Sequence, residues 1–321
     1  MHFFFKRLMA IIPMVLGVTF IAFMLMQLSP GDPVDSFADP SISVQDLDQI
    51  RQNLGLDQPL IIQYGKWVLN VVQGNMGYSY KTGKPVLTAI MERLPATLIL
   101  SISGIALILL IAVPLGLYSG YRYETLSDTV ITILSFVGMA MPTFWVGLMI
   151  ILLFSVQLGW FPTSGFLDPG LQSASVWRQS LNIVWHMILP LIATVVGDLA
   201  GLIRYNRFEV IGVLKQDYIL AARARGVSEK VLLFKHAFKN AALPLVTILG
   251  LSLPGLISGS FIIEYIFSWP GMGQLGIEAV FSRDYPVLMG MVMISSTLIL
   301  FGNLLADISY GLVDPKIKVG G

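Results

Sequence analysis

The sequence predicts an all-α polytopic membrane protein with six transmembrane helices, and three observations carry that prediction. Of 321 residues, 55% are hydrophobic and only 12% are charged, whereas soluble domains carry roughly a quarter charged residues. Six apolar runs are each long enough to cross a hydrocarbon layer ~30 Å thick, a crossing that takes about 20 residues of helix. Aromatic residues stand at the ends of most runs, where amphipathic rings favour the headgroup level. The net charge of +1 supplies no field for nucleic acid. The absence of cysteine excludes a disulfide scaffold, a thiol nucleophile and a cysteine-bound metal.

The first run, Leu8–Leu28, is too long for the apolar region of a cleaved leader and has no small-x-small site before "LSPGDP", so it reads as a retained anchor. Ala96–Ser119, Val130–Val156, Ile183–Ile203, Leu243–Phe267 and Val287–Ile308 follow. The expected interface anchors are Tyr118, Tyr121, Tyr123, Trp160, Trp185, Tyr205, Trp269, Tyr285 and Tyr310. Lys and Arg set the orientation. If Lys6 and Arg7 are cytoplasmic, so are Arg122, the basic cluster from Arg204 to Lys239, Lys316 and Lys318. The short loops opposite keep only Arg178 and Arg283; the remaining basic residues belong to a long loop that translocates regardless of charge. Both termini are therefore expected in the cytoplasm. The chain divides into an N-terminal helix (1–28), an extracytoplasmic helical segment (29–95), a membrane core (96–311) with a cytoplasmic loop at 204–242, and a tail (312–321).

The outer segment carries helix signals of its own. Ser43 is placed to cap a run with Val44, Leu47, Ile50 and Leu54 on one side, stopped by Gly55. Pro59 suits the first turn of a second run with Ile61, Tyr64, Trp67, Val68 and Val71, stopped by Gly74. Such amphipathic helices lie on the membrane surface or pack on the helix ends, or else they meet an external partner.

The inner loop is the most informative stretch. Ile211, Leu214, Tyr218, Ala221 and Ala222 recur at helical spacing until Gly226. Ser228 is placed to cap a second helix, with Glu229 in its first turn and Val231, Phe234, Phe238 and Ala241 as its apolar positions. Arg223, Arg225, Lys230, Lys235 and Lys239 crowd the same stretch, and Ala221, Ala222 and Ala224 leave room for another backbone. On these residues alone the unit is either a docking element or a basic loop that fixes topology and meets anionic lipid.

At these residues the sequence resembles the membrane subunit of an ATP-binding-cassette importer, and more specifically the B-type permease of the peptide/nickel uptake family. "DYILAARARGVS" (Asp217–Ser228) is similar to that family's coupling loop. Leu220 stands where the wider importer pattern has Glu, and Leu243-Pro244 lies further downstream of Gly226 than in that pattern. "KRLMAIIPMVLGVTFIAFMLMQLSPGDP", "NLGLDQPLIIQYGKWVLNVVQGNMGYS" and "FIIEYIFSWPGMGQLGIEAVFSRDYPVLMG" resemble the family's first helix, its outer segment and the link between its last two helices. The resemblance covers nearly the whole chain. It implies a type I importer transmembrane domain in a bacterial inner membrane, with Asp217, Tyr218, Ala221, Ala222, Arg223, Arg225 and Gly226 forming the element that docks on an ATPase. It further implies a homologous second permease, two cytoplasmic ATPases that bind ATP and Mg²⁺, an extracytoplasmic binding protein, surrounding lipid, and a small solute as cargo, a peptide ahead of a nickel chelate or glutathione.

The chain has no phosphate-binding loop to hydrolyse ATP itself. Gly83-Lys84 is followed by Pro85, which removes a backbone N–H and supplies no hydroxyl for Mg²⁺. No H-E-x-x-H or G-x-S-x-G occurs, and His2, His186 and His236 are too scattered for a metal site. The expectation is a non-catalytic subunit without a cofactor of its own. A secondary transporter would show inverted repeats and buried ionisable pairs; no repeat is evident and the runs hold few charges. Asp198 and Glu264 are exceptions, and each is a candidate for the translocation path. Gly116–Gly120, Gly197–Gly201 and Gly255–Gly259 have small-xxx-small spacing for close helix packing. Pro114, Pro142, Pro190 and Pro254 interrupt the runs and are candidate kinks.

Overall fold

A run of apolar residues becomes a helix in lipid because every backbone N–H and C=O must find its partner within the segment. The computed structural model describes residues 2–28, 34, 44–53, 55–238 and 260–313, and no strand occurs among them. An isolated bridge joins Tyr78 and Pro85. The helices are α1 (His2–Leu28), α2 (Val44–Asn53), α3 (Leu60–Val72), α4 (Val86–Tyr121), α5 (Leu126–Ala140) and α6 (Thr143–Ile150). They continue with α7 (Val176–Leu214), α8 (Asp217–Ala224), α9 (Glu229–Val231), α10 (Phe261–Ile266), α11 (Met272–Phe281) and α12 (Tyr285–Val313). Wider π-helical turns extend α6 over Ile151–Gln157 and α9 over Leu232–Ala237.

Four of these helices are long and apolar enough to cross a membrane: α1, α4, α7 and α12. The third expected run, Val130–Val156, is not one straight span. It breaks between α5 and α6, which are bent by 100°. The break falls at Met141, extended at φ −83 and ψ 126, before Pro142, whose ring disfavours a helical predecessor. Pro190 instead lies inside the uninterrupted α7, and α4 runs past Pro114. The expected fifth run, Leu243–Phe267, lies outside the described residues up to 259, as do Pro254, Gly255 and Gly259; its end forms α10.

The chain forms two compact units. The first comprises Met1–Thr97, Ile257–Phe261 and Pro270–Gly321. In it α1 packs chiefly along α12, and α11 packs on α12. Its core joins Val86, Ile90, Met272, Ala279, Val287 and Met291. The outer helices form where their stop signals place them, with Gly55 at φ 69 and Gly74 at φ 83, while Ser43 and Leu54 lie outside the described residues. α3 does not lie free. The Tyr64 hydroxyl donates to the Leu16 carbonyl at 2.8 Å, and its ring meets Phe20 edge-on at 5.1 Å, so α3 is fastened to α1.

The second unit comprises Leu98–Leu256 and Ile262–Trp269. Here α5 and α6 pack on α7. Leu189, Ala193, Ile263 and Phe267 form a core against α6 and its extension. Trp269, expected at the headgroup level, is instead fully buried. Its ring meets Phe166 edge-on at 4.8 Å, because the loop before α7 folds over it and the Gly165 amide donates to the Phe267 carbonyl.

Of the three small-xxx-small pairs, Gly116–Gly120 is used within the unit. A Cβ at Gly116 would stand 2.8 Å from Asn206 Cβ, and one at Gly120 would stand 2.8 Å from Val210 Cβ. Both glycines therefore let α4 touch α7 at backbone distance. Gly197 and Gly201 have nothing within 4 Å of such a Cβ among the described residues.

Candidate coupling site

α7 ends at Leu214, and the chain turns through Lys215 and Gln216 into α8, eight residues long. Asp217 opens the helix, where a carboxylate favours the positive end of the dipole. The helix closes with two reverse bonds: the Val227 amide donates to Ala222 O at 3.2 Å and the Gly226 amide to Arg223 O at 3.0 Å. This Schellman ending requires a left-handed residue, and Gly226 supplies it at φ 81. A Cβ there would meet nothing within 4 Å among the described residues, and the backbone conformation itself demands the glycine.

The apolar side of α8 faces its own loop. Ile219, Ala222 and Leu232 form a small buried core joined by Val213, Leu214 and Val227. Ala222 is thus 6% exposed and packs within this small core, whereas Ala221 and Ala224 face outward. The outward face carries Asp217, Leu220, Ala221 and Ala224, flanked by Tyr218 and Arg225. Arg225 Nε donates to the Ala221 carbonyl at 3.3 Å. Arg223 is engaged within the loop, its guanidinium forked onto Glu229 at 2.6 and 3.1 Å. Ser228 occupies the expected cap position before α9, but its side chain makes no capping bond. The side chains of Lys235 and His236 and all of Lys239 lie outside the described residues.

The two candidate path residues part company. Asp198 stands on an exposed face of α7 with no ion-pair partner among the described residues. Further along α7, the Arg204 guanidinium lies 4.3 Å from the Phe136 ring centroid. It lines a groove of about 460 Å³ with Thr132, Gly201 and Tyr205. Glu264, in contrast, is fully buried in α10. No cluster of metal-ligating side chains occurs among the described residues.

Sequence reasoning missed two carboxylates that organise helix ends. Asp128, in the first turn of α5, is buried against Arg207 of α7 at 2.6 Å. Asp284, just before α12, is buried against Ser79 at 2.5 Å. For Asp284 a signal existed, since an Asp before an apolar run with Pro286 in its first turn is a capping pattern. Asp128 lies two residues before the apolar run Val130–Val156, where hydropathy gives no signal for it.

Comparison with known proteins agrees with this architecture. Residues 112–319 match the family model "Binding-protein-dependent transport system inner membrane component", and residues 1–101 match the model of its N-terminal part. The chain is 44% identical over 314 residues to the oligopeptide transport system permease protein AppB of Bacillus subtilis, covering 98% of each. It is 37% identical over 316 residues to a putative peptide permease protein of Brucella ovis, again covering 98% of each. It is 32% identical over 326 residues to the dipeptide transport system permease protein DppB of Alkalihalophilus pseudofirmus, covering 98% of each. With long apolar helices and two family models spanning almost its whole length, the chain belongs to the family of inner-membrane components of binding-protein-dependent transport systems.

Proposed function

We propose that this chain is the transmembrane permease subunit of an ATP-binding-cassette importer for di- and oligopeptides, forming half of the translocation path. The observation that carries the coupling role is α8: a short helix with a fixed glycine ending, seated on α7 by its own core and presenting an exposed face. Similarity across the full length to proteins named as peptide permeases supports the cargo. In this reading α8 docks in a cleft of a cytoplasmic ATPase, and a homologous permease completes the path. Two ATPases bind ATP and Mg²⁺, and an extracytoplasmic binding protein delivers peptide. This chain is non-catalytic. The basic residues from Arg204 to Lys239 support a cytoplasmic position for α8 and for both termini.

Docking works mechanically because α8 is rigid and short. When the ATPases close on ATP, α8 travels with them, and the chain carries that displacement into α7. The test is reconstitution of the complete complex in lipid vesicles with a labelled tetrapeptide. A cysteine at exposed Ala221, in a chain that otherwise has none, is expected to crosslink to the ATPase, and uptake is expected to require ATP. Uptake driven by an ion gradient without ATP would overturn the reading.

A further inference from the structure

The Asp128 carboxylate, 2% exposed, receives donors from three places in the chain. Ser119 Oγ, near the end of α4, donates to Oδ1 at 2.5 Å, and the Glu124 amide donates to Oδ2 at 3.0 Å. Arg207 of α7, distant in sequence, donates from Nε to Oδ1 at 2.6 Å and from Nη2 to Oδ2 at 2.8 Å. Glu124 is left-handed at φ 64, so the turn between α4 and α5 is shaped around this carboxylate. In the same turn, Tyr123 presents its ring to two cations of α7. Arg207 Cζ lies 5.4 Å from the centroid, and Lys215 Nζ lies 5.1 Å from it.

Lys215 directly follows the last residue of α7, at the turn into α8. The α4–α5 turn is thus clasped to α7 at two points, one at the ion pair and one at the entrance to α8. Glycine-mediated contact of α4 with α7 lies alongside, and Asn206 Nδ2 donates to the Val113 carbonyl at 3.0 Å.

We propose that Asp128, Arg207 and Tyr123 form a transmission clamp, a set of positioning residues that carries the displacement of α8 into α4 and α5. A load on α8 enters the last turn of α7 through Ile219 and Ala222 packed on Val213 and Leu214. Apolar contacts between α7 and its neighbours resist separation but permit sliding. A forked guanidinium–carboxylate pair fixes direction as well as distance. Parting it would strand a buried charge, so the three helix ends move as one body.

This proposal rests on the importer reading, and the experiment separates the two. In the reconstituted complete complex, the quantity read is peptide imported per ATP hydrolysed, normalised to assembled complex. Asp128→Asn is expected to lower that ratio about tenfold while ATP hydrolysis persists, and Arg207→Lys to give an intermediate value. Tyr123→Leu is expected to lower it about threefold, and Tyr123→Phe, which keeps the ring, to restore it. A merely stabilising pair would reduce the amount of complex and leave the ratio intact; that result in Asp128→Asn overturns the clamp. If Asp128→Asn does not assemble, Tyr123→Leu decides alone, and an unchanged ratio there overturns it. A wild-type complex that does not couple ATP to uptake would instead strike the importer reading.

Discussion

Asp128 and Asp284 are each 2% exposed and each lies at the start of an apolar helix, yet their burial is balanced in different ways. Asp284 is met by neutral donors: Ser79 Oγ at 2.5 Å, the Tyr80 and Lys81 amides at 3.1 and 3.3 Å, and the Val287 amide at 3.5 Å. The neighbouring Tyr80 phenol is pushed up to about 12 by burial, with Asp284 and Tyr285 adding to the shift, so it stays protonated and adds no second negative charge. Asp128 is met by a full positive charge on another helix. Neutral amides can shape only the turn that carries them, which suits fixing the 79–84 turn at the head of α12. A long charged side chain reaches between helices, which suits tying α5 to α7.

That contrast predicts unequal costs. Asp128→Ala leaves the Arg207 guanidinium half-enclosed without its carboxylate, and loss of one partner of a buried pair costs about 3–5 kcal/mol. Denaturant unfolding of the purified subunit in lipid nanodiscs measures it. A loss below about 1 kcal/mol would mean that Arg207 finds another partner and that the pair is not what joins the helices.

Asp284→Ala is expected to cost less, about 1–3 kcal/mol, because the freed donors are neutral and no charge is left unpaired. The discriminating measurement is local. Amide exchange should rise across residues 79–84 and at the start of α12, while α7 is unaffected. Loosening that reached α7 as strongly would show that Asp284 organises more than its own turn.

The third prediction concerns glycine pairs with the same spacing. Gly120→Ala forces a Cβ to within 2.9 Å of the Arg207 carbonyl and 2.8 Å of Val210. Such overpacking costs about 1–3 kcal/mol. Gly201→Ala, with nothing among the described residues within 4 Å of the added Cβ, should change the isolated subunit by no more than about 0.5 kcal/mol. Equal effects would mean that spacing alone, and not the α4–α7 contact, sets the response.

These glycines also show what was legible in the sequence. Apolar length located α1, α4, α7 and α12, because lipid leaves a long apolar run no alternative to the helix. Gly226 and Pro59 marked their turns correctly because each acts through its own backbone dihedrals. Pairing between elements was not legible. Gly116–Gly120 and Gly197–Gly201 look alike in the sequence, and only the arrangement of α4 on α7 separates them. Pro142 breaks its helix while Pro190 does not, and a proline's local rule is the same at both. Asp128 and Arg207 are 79 residues apart, a separation that no helical period detects. Which alanine of α8 turns inward was not legible for a related reason: in a helix eight residues long, the neighbours and not the pattern decide that Ala222 is buried and Ala221 exposed.

The smallest expected effect belongs to the other forked pair, Arg223 with Glu229. Its geometry matches that of Asp128 with Arg207, but both side chains are 44% exposed. Water already solvates these groups, so Glu229→Gln should change stability by less than about 1 kcal/mol, and added salt should erase the difference. The pair matters instead for what it withholds. Held by Glu229, Arg223 is withheld from any acidic partner surface that α8 would meet under the proposed docking. If docking draws on Arg223, Glu229→Gln should tighten ATPase binding a fewfold, by about 1 kcal/mol or less, and Arg223→Ala should abolish that gain. Binding measured on nanodisc-embedded permease at low and high salt reads both. Identical affinity in wild type, Glu229→Gln and the double variant would leave the Arg223–Glu229 fork as a brace between α8 and α9, with docking carried by Asp217, Tyr218, Ala221 and Arg225 alone.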